Sequence, residues 1–231
     1  MTEIIKTNSC IINYSENLKK LANETIKILD KKIPEYEKIF NINLKEKVIV
    51  NYFDDKESFR KFIYEIRGED TLPEYATATY DEGMINAYIK KENQLERIYT
   101  SSHELFHIFY MMYILKDDYS KRIVWYDEGM AQFMSGEKDK YNDLIKFKEF
   151  YNKVKKNTIE IPKLNELTHG KSFVNENYNA YDLSYLSIKY LNETLKKEEF
   201  KNLISDFSRI KLIGEKVIEE MFNYYDNLFY N

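Results

Sequence analysis

The chain has 231 residues, of which 43% are hydrophobic and 16% aromatic. This composition excludes a disordered protein, and the length is typical of one domain or of one domain in two lobes. The 35 basic and 39 acidic residues give a formal charge of −4. Because no dense basic block occurs, we expect no nucleic-acid partner.

Three further classes are excluded by the distribution of residues. Lys, Asp or Asn interrupts every apolar stretch before it reaches the roughly 20 residues of a membrane span, so we expect no membrane partner. No signal peptide is visible at the N-terminus, which predicts a cytoplasmic protein. The single cysteine, Cys10, excludes an internal disulfide framework and a cysteine-rich zinc site.

Strands and helices are mixed in the first part of the chain. Residues 9–14 and 47–53 predict strands, and the helix that follows Ser15 should kink or end at Pro34. Asp54 or Asp55 is expected to cap a short helix.

A hairpin and then helices are predicted downstream. Residues 75–80 and 84–89 read as two strands around a Gly-containing turn, and residues 93–115 predict a long buried helix. Further helices are predicted at residues 127–135, 140–155, 178–195, 197–206 and 215–228. This order predicts an α+β lobe over residues 1–115 and a helical lobe over residues 116–231, with a site in the cleft between them.

One motif in the long helix carries metal chemistry. His103-Glu104-Leu105-Phe106-His107 is a complete HExxH. Residues four apart share one helix face, so His103 and His107 can offer imidazole nitrogens to a single zinc ion, with Glu104 beside them. A catalytic zinc needs a third protein ligand and keeps its fourth position for water.

Glu128 is the candidate third ligand. It lies in Trp125-Tyr126-Asp127-Glu128-Gly129-Met130-Ala131, where Gly129 and Ala131 are small enough to let a second helix pack closely against the first. Asp127 and Gln132 are candidates for orienting the histidines by hydrogen bonds.

The HExxH and the Trp-x-x-Glu-Gly-x-Ala segment together resemble the gluzincin metallopeptidases, the peptidase MA group that includes aminopeptidase-N-like and thermolysin-like enzymes. The resemblance implies a zincin-like fold, one zinc ion held by His103, His107 and Glu128, and Glu104 as general base. It implies a peptide or protein substrate. It also implies Tyr181 as the donor to the oxyanion, with Tyr185 as the alternative.

Two departures bear on the activity. Asp127 stands where aminopeptidase-like relatives usually have Asn, and no Gly-x-Met-Glu-Asn exopeptidase motif precedes the zinc helix. We therefore expect a small endopeptidase or an enzyme that recognises a particular protein partner. Residues 75–80 are a candidate sheet edge for binding an extended peptide, and His169 is a candidate for lining the cleft.

Two other functions stay open at this stage. A zinc-stabilised binding protein could keep the same helix pair without catalysis, although a purely structural site has no need of Glu104. A zinc hydrolase of a non-peptide amide or ester is the second alternative, because the zinc chemistry alone does not specify a polypeptide.

Overall fold

The computed structural model describes residues 2–69, 72, 74, 77–81, 83–90, 94, 97–137, 140–168 and 172–230. The chain divides into two compact units, Met1–Phe109 and Tyr110–Asn231. The first unit combines strands with helices, and the second is helical in its described part. The predicted α+β class is therefore confirmed.

A mixed sheet forms the centre of the first unit. Its strands are ordered β1-β2-β3-β5-β4. Strands β2, β3 and β5 are parallel to one another, whereas the outer strands β1 and β4 are antiparallel to β2 and β5, respectively. The strands are β1 Thr2–Lys6, β2 Cys10–Ser15, β3 Val48–Phe53, β4 Ala78–Asp81 and β5 Met84–Tyr88. Strand β4 thus lies at one edge of the described sheet.

The predicted strands and the hairpin are confirmed, with bounds that are shifted or shortened by one to three residues. β2, β3 and the β4–β5 hairpin occupy the expected segments, and Gly83 in the turn has φ 80°, which favours glycine. Residues 75, 76 and 82 of the predicted hairpin lie outside the described residues. Strand β1 has no equivalent among the predictions. Its side chain Ile4 is 54% exposed, so the segment lacks the pattern of a buried face.

Two layers of helix cover the sheet. Helices α1 (Lys19–Phe40) and α3 (Thr100–Phe109) pack against each other on the face formed by the alternating buried residues of β2, and α2 (Lys56–Arg67) contacts β3 and β5. Asp55 caps α2 by accepting a hydrogen bond from the backbone of Ser58, at 2.7 Å.

Pro34 does not end the first helix, and a kink at this residue stays a prediction. Helix α1 continues through Pro34 to Phe40. A proline inside a helix removes one backbone hydrogen bond. Ile33, Tyr36 and Phe40 around it are all buried, and this apolar packing offsets the loss.

The long helix predicted over residues 93–115 is shorter and not uniform. Helix α3 begins at Thr100, and π-helical Tyr110–Leu115 follows it directly. Residues 93, 95 and 96 lie outside the described residues. The π geometry, with its wider hydrogen-bond spacing, is not readable from an apolar pattern alone.

In the second unit, helix α6 contacts four other helices, α4, α5, α7 and α9. The helices are α4 Val124–Ser135, α5 Lys140–Lys155, α6 Ala180–Thr194, α7 Lys197–Asn202, α8 Phe207–Gly214 and α9 Val217–Tyr230. Helix α8 was not among the predictions. No helix in the described ranges combines the length and apolar character needed to cross a bilayer.

Candidate metal centre

Two buried serines fix the start of α3, directly before the HExxH motif. The Tyr52 hydroxyl and Ser101 Oγ are hydrogen-bonded at 2.7 Å, and the Tyr36 hydroxyl donates to the backbone oxygen of Ser102 at 3.1 Å. Burial raises the pKa of Tyr52 to about 12, so this hydroxyl keeps its proton at neutral pH. The first turn of α3 is therefore tied to β3 and α1.

Aromatic packing holds the same helix further along, on the side that faces α1. Phe106 and Phe109 lie against Tyr36 and Phe40 of α1, with ring centroids 5.5–5.9 Å apart. Because these rings are buried, the helix cannot rotate without exposing them. The histidines of the motif are thereby held on a defined face.

The two histidines converge as the motif predicts. Their Nε2 atoms are 3.0 Å apart, and their ring planes meet at 75°. Two nitrogens bound to one tetrahedral zinc at about 2.0–2.1 Å would be about 3.3 Å apart. The separation therefore fits a pair of imidazoles that share one ion.

Glu128 completes a possible ligand set. The metal-binding atoms of His103, His107 and Glu128 all lie within 4.8 Å of one another. Glu128 is 6% exposed on α4. Two imidazole nitrogens and one carboxylate form the donor set of many catalytic zinc sites, so the residues present fit a zinc ion.

Gly129 places α4 close to α6. A Cβ at this position would lie 2.6 Å from the backbone oxygen of Ser184 and 2.8 Å from Ile188 Cγ1. Only a residue without a side chain allows this approach. The glycine after the candidate ligand is therefore a packing requirement of the helix that carries it.

Arg122 joins Glu128 to the neighbouring acid, Asp127. Its Nε donates to Asp127 Oδ2 at 2.5 Å and its Nη2 donates to Glu128 Oε1 at 3.0 Å. Burial, which opposes the charged form, is outweighed by the two carboxylates, and the pKa of Arg122 is raised. Arg122 is not recognisable as a functional residue in the sequence, because beside Lys121 it resembles an ordinary basic turn.

Two tyrosines make the surroundings of this ion pair apolar. Tyr110 and Tyr126 are fully buried, with ring centroids 6.2 Å apart. Burial raises the pKa of both hydroxyls, and Asp127 adds to the rise at Tyr110. Charges among buried rings interact more strongly than charges in water.

The remaining candidates have different environments. Glu104 is partly exposed. Tyr181 is half-buried in the first turn of α6 against the Phe173 ring, whereas Tyr185 is 3% exposed beside Phe133. His169 lies outside the described residues.

Of the two residues expected to orient the histidines, Asp127 accepts from Arg122. Gln132 is 2% exposed, and its Oε1 has no hydrogen-bond donor within the described part of the chain. Gln132 therefore retains a buried acceptor one turn after Glu128.

Comparisons with known proteins give one family. The model of the collagenase family Peptidase M9 matches residues 17–230, which includes the HExxH motif and Glu128. Neither the curated proteins nor the solved structures contain a significant match. The match covers most of the chain, so the protein belongs to the Peptidase M9 collagenase family and is a zinc metallopeptidase.

Proposed function

We propose that this metallopeptidase is an endopeptidase with a zincin-like fold. His103, His107 and Glu128 are its zinc ligands, and Glu104 is its general base. The observation that carries the proposal is the convergence of the three ligand groups, within 4.8 Å of one another, beside a partly exposed glutamate on the same helix as the histidines.

Different residues of the chain have different roles in peptide hydrolysis. When bound, zinc supplies Lewis acidity, which makes a water molecule more acidic and a substrate carbonyl more electrophilic. Glu104 takes the proton from the attacking water and then delivers it to the nitrogen of the departing amine. The rigid attachment of α3 at Ser101 and Ser102 holds Glu104 in place for both transfers.

Tyr181 is the proposed hydrogen-bond donor to the oxyanion. Its half-buried position leaves the phenol reachable by a substrate, and the Phe173 ring limits its movement. Tyr185 is the weaker candidate because its side chain is enclosed beside Phe133. A single such donor typically contributes about 3 kcal/mol to transition-state stabilisation.

The edge of the sheet supports a peptide substrate. Helix α3 contacts β4 and β5, so the edge strand runs beside the helix that carries Glu104. An extended peptide can pair with an open edge through backbone hydrogen bonds, which do not depend on its side chains. The family description, collagenase, adds collagen to the substrates that need testing.

The test compares wild type with Glu104→Gln for zinc content and for cleavage of a peptide library. We expect both proteins to bind about one zinc and the variant to lose at least 100-fold in kcat, since general acid–base catalysis contributes about 10²–10⁴-fold. Peptides blocked at both ends identify endopeptidase activity, and parallel assays on triple-helical and heat-denatured collagen test the substrate class.

Glu24→Gln is the matched control, because Glu24 lies on the exposed side of α1 in a surface pair with Lys27. It should leave zinc content and cleavage unchanged. A wild type that loads no zinc would refute the ligand assignment. A Glu104→Gln variant that cleaves at the wild-type rate would remove Glu104 from the mechanism, and cleavage confined to unblocked peptides would show an exopeptidase.

A further inference from the structure

Arg122 occupies an unusual place for a cation. It lies two residues before α4, and its side chain folds back over the first turn of that helix. The N-terminal end of a helix carries partial positive charge, which repels a cation. Asp127 and Glu128 provide two carboxylates that stabilise the guanidinium there.

The two carboxylates in turn require a positive charge nearby. Asp127 is fully buried and Glu128 is 6% exposed, and the two are adjacent in sequence. Two neighbouring acids in an apolar setting repel each other when both are ionised. One guanidinium edge contacts both, with Nε on Asp127 and Nη2 on Glu128. A planar fork is better suited to this bridge than a lysine ammonium.

We propose that Arg122 is a positioning residue for the metal centre. By holding Glu128 Oε1, it orients the carboxylate as a ligand, and by pairing with Asp127 it prevents a second uncompensated negative charge beside the metal. This inference rests on the proposed role of Glu128 as a ligand and assigns that ligand its orienting partner.

The test measures zinc affinity by competition with a chelator, and coordination geometry by the visible spectrum of the cobalt-substituted protein. Removal of a group that orients a metal ligand typically costs 10–100-fold in affinity. We therefore expect Arg122→Met to weaken zinc binding by 10–100-fold and to change the cobalt spectrum. Arg122→Lys should be intermediate, because it keeps the charge and loses the fork.

Arg67→Met is the matched control. The side chain of Arg67 is 26% exposed, and its Nε pairs with Asp81 at 2.5 Å. Arg122 is similar in both respects, because its side chain is 25% exposed and its Nε pairs with Asp127. Arg67 lies on α2 and also donates to Thr79 Oγ1 at 2.7 Å, so Asp81 and Thr79 both belong to the β4–β5 hairpin. Its replacement should lower stability by an amount similar to that for Arg122→Met and leave zinc affinity and the cobalt spectrum unchanged.

A double variant separates the effect of Arg122 on Glu128 from its effect on Asp127. In Arg122→Met/Asp127→Asn no buried charge is left unpaired at residue 127, so this protein should fold even if the single variant does not. We expect its zinc affinity to stay below wild type, because Glu128 still lacks its orienting donor. Wild-type affinity in the double variant would overturn the proposal, since Arg122 would then serve only Asp127.

The zinc affinities of two single variants distinguish a failure of this inference from a failure of the proposed function. If Glu128→Gln weakens zinc binding while Arg122→Met binds zinc as tightly as wild type, or more tightly, Arg122 is not a positioning residue and the ligand assignment stands. If Glu128→Gln leaves zinc binding unchanged, the ligand assignment itself fails.

Discussion

At Gly129 the helix that carries Glu128 meets the backbone of α6. An added methyl group would overlap the Ser184 carbonyl oxygen at 2.6 Å, and a backbone atom inside a helix cannot move aside easily. We therefore expect Gly129→Ala to lower the free energy of unfolding by about 3 kcal/mol, measured by urea denaturation.

Gly68→Ala is the comparison for this substitution. Gly68 ends α2 with φ 75°, and a Cβ there would meet no atom within 4 Å. Its replacement costs only the left-handed backbone strain of roughly 1 kcal/mol. A Gly129→Ala protein no less stable than Gly68→Ala would show that α4 and α6 can separate without penalty.

Not every residue near the candidate ligands was recognisable from the sequence. His103 and His107 stand out because a rare residue type recurs at helical spacing. Arg122 does not, since its partners Asp127 and Glu128 lie five and six residues away across the start of a helix. Such a contact depends on the conformation of the turn before α4, which no spacing rule predicts.

Among the elements, β4 has the clearest functional consequence. The Tyr88 backbone N–H donates to Thr77 O, so the alternation of an antiparallel ladder directs the backbone groups of Thr79 towards β5 and those of Ala78 and Tyr80 towards the open edge. An extended substrate would pair with the outward-facing groups.

Ala78→Pro removes one of these outward donors and leaves the β4–β5 bonds intact. We expect KM for long peptides to rise roughly 3- to 10-fold, because one hydrogen bond is worth about 0.5–1.5 kcal/mol, while kcat changes little. Steady-state kinetics check this. Ala78→Val, which adds bulk and keeps the N–H, serves as control, and equal KM values for both variants would remove β4 from substrate binding.

In helix α1, tertiary packing overrides the tendency of proline to interrupt a helix. Pro34 predicts an interruption, yet the helix continues, because Ile33, Tyr36 and Phe40 are all buried around it. A proline costs about 3 kcal/mol in a helix interior, and fully burying a large apolar side chain returns about 1.5–3 kcal/mol. Several such residues on one face are sufficient to offset it.

For the molecule as a whole, metal binding should be linked to stability. An ion that binds only the folded chain stabilises it by about 2.7 kcal/mol when its free concentration is 100 times the dissociation constant. We expect a chelator to lower the thermal unfolding midpoint and abolish cleavage, and added zinc to restore both. Calorimetry and activity assays measure the two effects.

His107→Ala is the control for this experiment, because it removes one of the converging nitrogens. Its unfolding midpoint should be insensitive to chelator. If the wild-type midpoint is equally insensitive, zinc does not bind the folded protein at a site that matters for its stability.

The class of the protein follows from short patterns in its sequence. The HExxH spacing with a downstream Glu-Gly-x-Ala predicted a zinc metallopeptidase, and the family match confirms it. Alternating and helical apolar patterns predicted β2, β3, the hairpin and most helices, because these patterns depend only on residues close in the chain.

The way in which these strands and helices combine depends on contacts between residues that are distant in the chain. The sheet order places β4 at an edge, the packing of α1 carries its helix through Pro34, and the turn before α4 brings Arg122 to two carboxylates. Each depends on contacts whose energies come from burial and charge pairing in three dimensions. A sequence pattern indicates which residues are able to make such contacts, but the three-dimensional fold determines which residues they contact.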